Sequence, residues 1–229
     1  MKVLKQVMNN PKEEDLVEVT LDELQKMLQP SQASAPSLPA PKLQRYNFDN
    51  SFYLYDDINV NSMFALGTFL KERLNEWNQF LHINSEIIKN AKPNPIKIYI
   101  QSNGGDLFAV MPVVDLINSY KDKLEIHTHV EGIAASAATL ISVVGHNRTI
   151  TRNSYLLIHE LRSQVAGTYS NIKDENENCD KIMKSIKELY LNKSNGQISE
   201  EELNETLKHD WLLTAEECLK YGFVDHIIG

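Results

Sequence analysis

Two parts of the chain hold residues of the right type and setting for chemistry. One is a serine among small side chains, Gly132-Ile133-Ala134-Ala135-Ser136-Ala137-Ala138-Thr139; the other is His159, which closes the apolar run Tyr155-Leu156-Leu157-Ile158. A serine flanked by two alanines on each side adds almost no volume to a core, so its hydroxyl or a close backbone approach is what the position requires. An apolar, β-branched run ends at Val130 and another begins at Thr139, which makes the stretch a strand-to-helix turn. At such a turn backbone N–H groups are unpaired and the helix dipole favours negative charge. Those are conditions for a nucleophilic serine and for holding an oxyanion. The same residues also fit a close helix contact in which Ser136 caps its own backbone. His159 fits either a general base or a satisfied structural residue. Gly104-Gly105 ends a further strand, a place where backbone N–H groups can face a ligand without Cβ obstruction.

The composition narrows the class. With 229 residues the chain has length for one domain and a tail. Lys and Arg number 23 against 31 Asp and Glu, a net charge of -8, the wrong sign for a nucleic-acid partner. There is no run of apolar residues long enough to span a membrane, and Met1-Lys2-Val3-Leu4-Lys5-Gln6 lacks the apolar core of a secretory signal. A soluble cytoplasmic protein that binds neither nucleic acid nor membrane is expected. Cys179 and Cys218 lie far apart with no metal-ligand spacing, so no disulfide framework, metal or cofactor is indicated.

The elements that must position the candidates follow from periodicity. Residues 1–29 are polar with one helical signal, a capping box of Thr20 and Glu23 ahead of Leu21, Leu24 and Leu28. Residues 30–41, PSQASAPSLPAP, read as an extended linker. Residues 1–45 are therefore expected to be a mobile tail, and residues 46–229 the folded domain. The domain starts with a short aromatic strand, Phe52 to Tyr55, and a helix capped by Asn61 or Ser62 with Phe64, Leu66, Phe69, Leu70 and Leu74 at helical spacing. A strand over Ile96–Ile100 leads to Gly104-Gly105 and a helix with Val110, Val113, Val114 and Ile117 on one face. A strand over Leu124–Val130, the Ser136 turn with its helix, and a strand over Tyr155–Ile158 come next. This alternation implies βαβ units around a largely parallel sheet, where chemistry gathers at strand ends. Beyond His159, Ile182, Ile186, Leu189 and Tyr190 mark a charged helix, and Ser199 with Glu202 and Thr214 with Glu217 form two more capping boxes. Gly222 caps the last helix before a closing strand.

Taken together, S-N-G-G (102–105), G-I-A-A-S-A (132–137), L-L-I-H-E (156–160) and D-W-L-L-T-A-E-E-C-L-K-Y-G-F-V-D (210–225) resemble the Clp peptidase family, over roughly Phe52 to Ile228. The family counterparts look like S-P-G-G, G-x-A-A-S-M, M-I-H-Q and D-x-F-L-S-A-x-E-A-x-x-Y-G-L-I-D. Any one of these is weak, but four in order with compatible gaps are specific. The resemblance implies an α/β, crotonase-like spiral with an inserted strand-helix handle, fitted by residues 162–192. It also implies a serine endopeptidase with Ser136 as nucleophile, His159 as general base and Asp210 orienting the imidazole; Gly105 and Ala137 N–H groups would form the oxyanion hole. Peptides or unfolded polypeptides would be the substrates, cut inside a homo-oligomer of stacked rings fed by an AAA+ unfoldase.

Asn103, Ala137, Glu160 and Leu161 depart from the family's proline, methionine, glutamine and proline, at positions that touch the substrate groove, so the resemblance does not carry over a cleavage preference. His209 stands where the family usually has an arginine that pairs across the ring interface. The competing readings are an inert ring subunit and an acyl-CoA enzyme on the same scaffold. The first is opposed by the intact Ser136, His159 and Asp210, the second by having no need of them.

Overall fold

The structure, a computed structural model, describes residues 3–5, 17–19, 50–84 and 92–229. It divides into two units, Met1–Gln44 and Arg45–Gly229. In the first, β1 (Val3–Lys5) and β2 (Val17–Val19) pair antiparallel with Val3 opposite Val19. The sequence reading had no strands there, and its helix from Thr20 and its proline-rich linker lie outside the described residues.

In the second unit β3 (Ser51–Leu54), α1 (Val60–Asn84), β4 (Ile96–Ser102), α2 (Leu107–Ser119), β5 (Ile126–Ala135) and α3 (Ala137–Val144) alternate. They are followed by β6 (Asn147–Thr151), β7 (Tyr155–Leu157), α4 (Tyr169–Lys193), α5 (Glu200–Leu207), α6 (Ala215–Lys220) and β8 (His226–Ile228). The strands lie in the order β3-β4-β5-β6-β8 with β7 added to β5, and each of these pairings is parallel. Period-two burial drives the sheet: Ile96, Ile98, Ile100 and Ser102 of β4 face inward. Helical periodicity supplies the cover, and Val110, Val113, Val114 and Ile117 are the buried residues of α2.

Two local expectations are corrected. Met63 takes the core position in the first turns of α1 and leaves Phe64 73% exposed. The cap of α1 is Asn59, whose Oδ1 accepts from the N–H groups of Asn61 and Ser62 at 2.9 and 3.0 Å. The boxes at Ser199/Glu202 and Thr214/Glu217 both form, and Gly222 follows α6 with φ 70°. Strand β6 escaped the sequence reading because Asn147-Arg148-Thr149-Ile150-Thr151 contains a single large aliphatic residue; the sheet turns Arg148 and Ile150 inward together.

The sheet divides along β5. His127–Val130 pair with β6, whereas Ile133–Ala135 pair with β7. At the change of partner the register against β4 shifts between Ile100 and Ser102, and the Gly132 N–H leaves the ladder for Ser154 Oγ at 2.6 Å. Thus β7 flanks the end of β5 that leads to Ser136. This parallel β/α spiral is the fold class the sequence implied, with α4 as the inserted helix; residues 161–167 form no strand within the single chain.

Candidate active site

Strand β5 runs through Ala135 and α3 starts at Ala137, so the whole strand-to-helix turn is one residue, Ser136. It sits at φ 51°, ψ -127°, a region side chains other than glycine rarely occupy. Its side chain makes no capping hydrogen bond, which removes the reading of Ser136 as a cap for its own helix. The Ser136 N–H instead donates to Leu157 O at 2.8 Å, tying the elbow to β7 two residues before His159.

The loop after β4 packs directly onto this elbow. A Cβ on Gly104 would lie 2.5 Å from Ala135 O and 2.6 Å from Ser136 Cβ, at a φ of +93°. Gly104→Ala is therefore expected to lower stability by about 2–5 kcal/mol, from backbone strain and overpacking together. A thermal melt that matched wild type would contradict this packing. Beside it, Ile58 donates to Gly104 O and accepts from the Asp106 N–H, both at 2.8 Å. That bridge bypasses the Gly105 N–H, which has no hydrogen bond among the described residues.

Gly105, Ser136, Ala137 and His159 line one cavity of about 300 Å³, floored by Leu140, Ile186 and Tyr190. The Ala137 N–H opens α3 and has no partner within the helix. The cavity shares Leu161 and Arg162 with a second hollow of about 540 Å³ that runs past Phe108, Glu175 and Lys181. The sequence candidates for nucleophile, base and both oxyanion donors are thus gathered on one hollow.

Asp210 is positioned by backbone. Leu156 and Leu213 exchange hydrogen bonds of 3.0 and 2.7 Å, and the Glu160 N–H donates to Leu207 O at 2.8 Å. These two anchors tie the segment that carries His159 to the segment that carries Asp210. The carboxylate, however, points elsewhere. Asp210 Oδ2 accepts from Arg162 Nη2 at 2.5 Å, both side chains being exposed. No hydrogen bond joins Ser136, His159 and Asp210 in this arrangement. The other aspartate of the C-terminal motif, Asp225, is held by Arg148. His209 stacks on Trp211 with ring centroids 4.1 Å apart and lies 3.2 Å from Glu205 of its own chain.

Sequence reasoning passed over Arg162, which carries no periodic or spacing signal. It also passed over the roles of Thr139 and Tyr190; a tyrosine on the buried stripe of a helix was the available hint, because its hydroxyl needs a partner. Among the described residues no three His, Cys, Asp or Glu side chains are grouped as metal ligands, and no helix is long and apolar enough to cross a membrane.

The Clp protease family matches residues 59–229. An ATP-dependent Clp protease proteolytic subunit from Bigelowiella natans is 30% identical over 153 residues, 66% of this chain and 74% of the relative. Proteolytic subunit 1 of Thermobifida fusca (strain YX) is 34% identical over 137 residues, covering 58% of this chain and 60% of the relative. Proteolytic subunit 4 of Rhodococcus jostii (strain RHA1) is 27% identical over 185 residues, 79% and 91% of the two chains. The chain belongs to the Clp protease family.

Proposed function

We propose that the chain is a serine endopeptidase subunit that cuts peptides or unfolded polypeptides inside an oligomeric chamber of stacked rings, supplied by an AAA+ unfoldase. The observation that carries the reading is the strained one-residue elbow at Ser136, on a cavity shared with His159 and the N–H groups of Gly105 and Ala137. In this reading His159 takes the Ser136 hydroxyl proton as Oγ attacks the peptide carbonyl carbon. The two N–H groups hold the resulting oxyanion. Collapse expels the amine, which leaves with the proton from His159, and a water activated by the same imidazole hydrolyses the acyl-enzyme. Asp210 leaves Arg162 to accept the imidazole Nδ1–H, fixing the tautomer.

A second reading, an inert ring subunit, draws on the absence of hydrogen bonds among the three side chains. A fluorophosphonate probe separates the two. Wild type should label at one site and Ser136→Ala should not; equal labelling of both, or none of either, would discard the peptidase reading.

A further inference from the structure

Tyr190 closes the floor of the cavity from α4 and is 3% exposed; Thr139, in the first turn of α3, is fully buried. Thr139 Oγ1 donates to Ser136 O at 2.5 Å, and the Thr139 N–H reaches the same oxygen at 3.0 Å. The Tyr190 hydroxyl lies 2.5 Å from Thr139 Oγ1. Thr139 has one hydroxyl proton, and it is spent on the Ser136 carbonyl, so Tyr190 is the donor in the second bond. Burial pushes the Tyr190 phenol up, which keeps that proton in place.

We propose that Thr139 and Tyr190 are positioning residues that fix the Ser136–Ala137 peptide plane and thereby aim the Ala137 N–H at the oxyanion. The inference rests on the reading of Ser136 as nucleophile. A trans peptide is planar, and its C=O and N–H point in opposite directions. Holding Ser136 O toward the protein body therefore turns the Ala137 N–H toward the cavity that residue lines. The orientation needs holding, because Ser136 sits at a φ and ψ that rotation of this peptide would relieve. The strain of such a residue and the net worth of a pair of hydrogen bonds are of the same order, so losing the Thr139 hydroxyl shifts the balance. Bonds accepted by the carbonyl also polarise the peptide and strengthen its N–H as a donor. Tyr190 adds a second link to the chain and couples the inserted helix α4 to the elbow.

The test uses the full chain in its assembled form. Thr139→Val removes the hydroxyl at nearly constant shape and lies outside the cavity wall. Tyr190→Phe removes one oxygen, and the double variant leaves neither hydroxyl without a partner. Loss of an entire oxyanion donor costs about 10²–10³ in kcat, so a misaimed one is expected to cost about 10- to 100-fold in Thr139→Val and in the double variant. KM for a peptide substrate should stay within about twofold, since the lost interaction belongs to the transition state. Affinity for a peptide aldehyde, whose hemiacetal oxygen takes the oxyanion position, should fall by the factor lost from kcat/KM. Thr139→Ser keeps the hydroxyl and should recover most of the rate. If wild type labels with a fluorophosphonate but the double variant turns over at the wild-type rate, the positioning role is overturned alone. Equal losses in Thr139→Ser and Thr139→Val, or a raised KM with unchanged kcat, would also overturn it. If wild type labels no better than Ser136→Ala, the nucleophile assignment fails, and this inference with it.

Discussion

Asp210→Asn should lower kcat by about 10⁴-fold with little change in KM or melting temperature, the loss a serine triad shows when its third member can no longer fix the imidazole tautomer. Ser136→Ala and His159→Ala should each lose about 10⁶-fold, and the pair together no more than either alone, because the members act as a unit. The Asp210 result is the informative one, since its carboxylate rests on Arg162. An exposed ion pair of that kind is worth about 0–1 kcal/mol, so exchanging Arg162 for the imidazole costs little. Arg162→Gln removes the competitor and should leave kcat at or above wild type. Steady-state kinetics on a peptide substrate decides: if Arg162→Gln were as damaged as Asp210→Asn, the ion pair, and not the imidazole contact, would be what Asp210 supplies.

Arg148→Met should be the most destabilising change away from the cavity. The Arg148 side chain is 6% exposed and reaches Asp225 Oδ1 at 2.6 Å, Asp225 Oδ2 at 3.1 Å, Lys193 O at 2.7 Å and Gly222 O at 2.8 Å. One guanidinium therefore joins β6, the end of α4 and the turn before β8. Removing one partner of a buried pair costs about 3–5 kcal/mol, and the lower end applies here because Asp225 keeps some contact with water. For a domain of this size that lowers the melting temperature by roughly 10 °C. Arg152→Ala, which loses only exposed contacts, to Glu216 and to the Gly229 carbonyl, is the control and should melt near wild type. Acid unfolding gives a second readout. Burial opposes ionisation of Asp225, but the hydrogen bonds and charge of Arg148 outweigh it and hold the carboxyl below its ordinary value. A depressed pKa contributes stability that is fully present above the ordinary value, about 3.9, and is lost as pH falls through the folded one. The wild-type stability curve should therefore bend downward below about pH 4, where an ordinary aspartate begins to protonate, and Arg148→Met should lack that part of the slope. Identical acid limbs would assign the pKa shift to something other than Arg148.

The sequence by itself determined the elements whose information is local. Period-two and helical burial in Ile96–Ile100 and in Val110, Val113, Val114 and Ile117 set the alternation, and two capping boxes and Gly222 set helix ends; each is a property of residues within a few positions of one another. Small residues around Ser136 declared a close approach, and the structure supplies its cause in the loop that packs Gly104 against the elbow. What only the tertiary structure decided is long-range. Arg148 reads as a surface charge until residues 77 positions away supply its carboxylate, which is why β6 was not legible. The change of partner along β5 depends on which strand arrives beside it, and no periodicity encodes that. Asp210 was nameable from its motif, but its engagement with Arg162, 48 positions earlier, depends on where an exposed side chain finds a cation. Thr139 and Tyr190 lie 51 residues apart, and their hydroxyls meet because the spiral lays α4 over the start of α3, burying a tyrosine donor whose acceptor is the Thr139 hydroxyl oxygen.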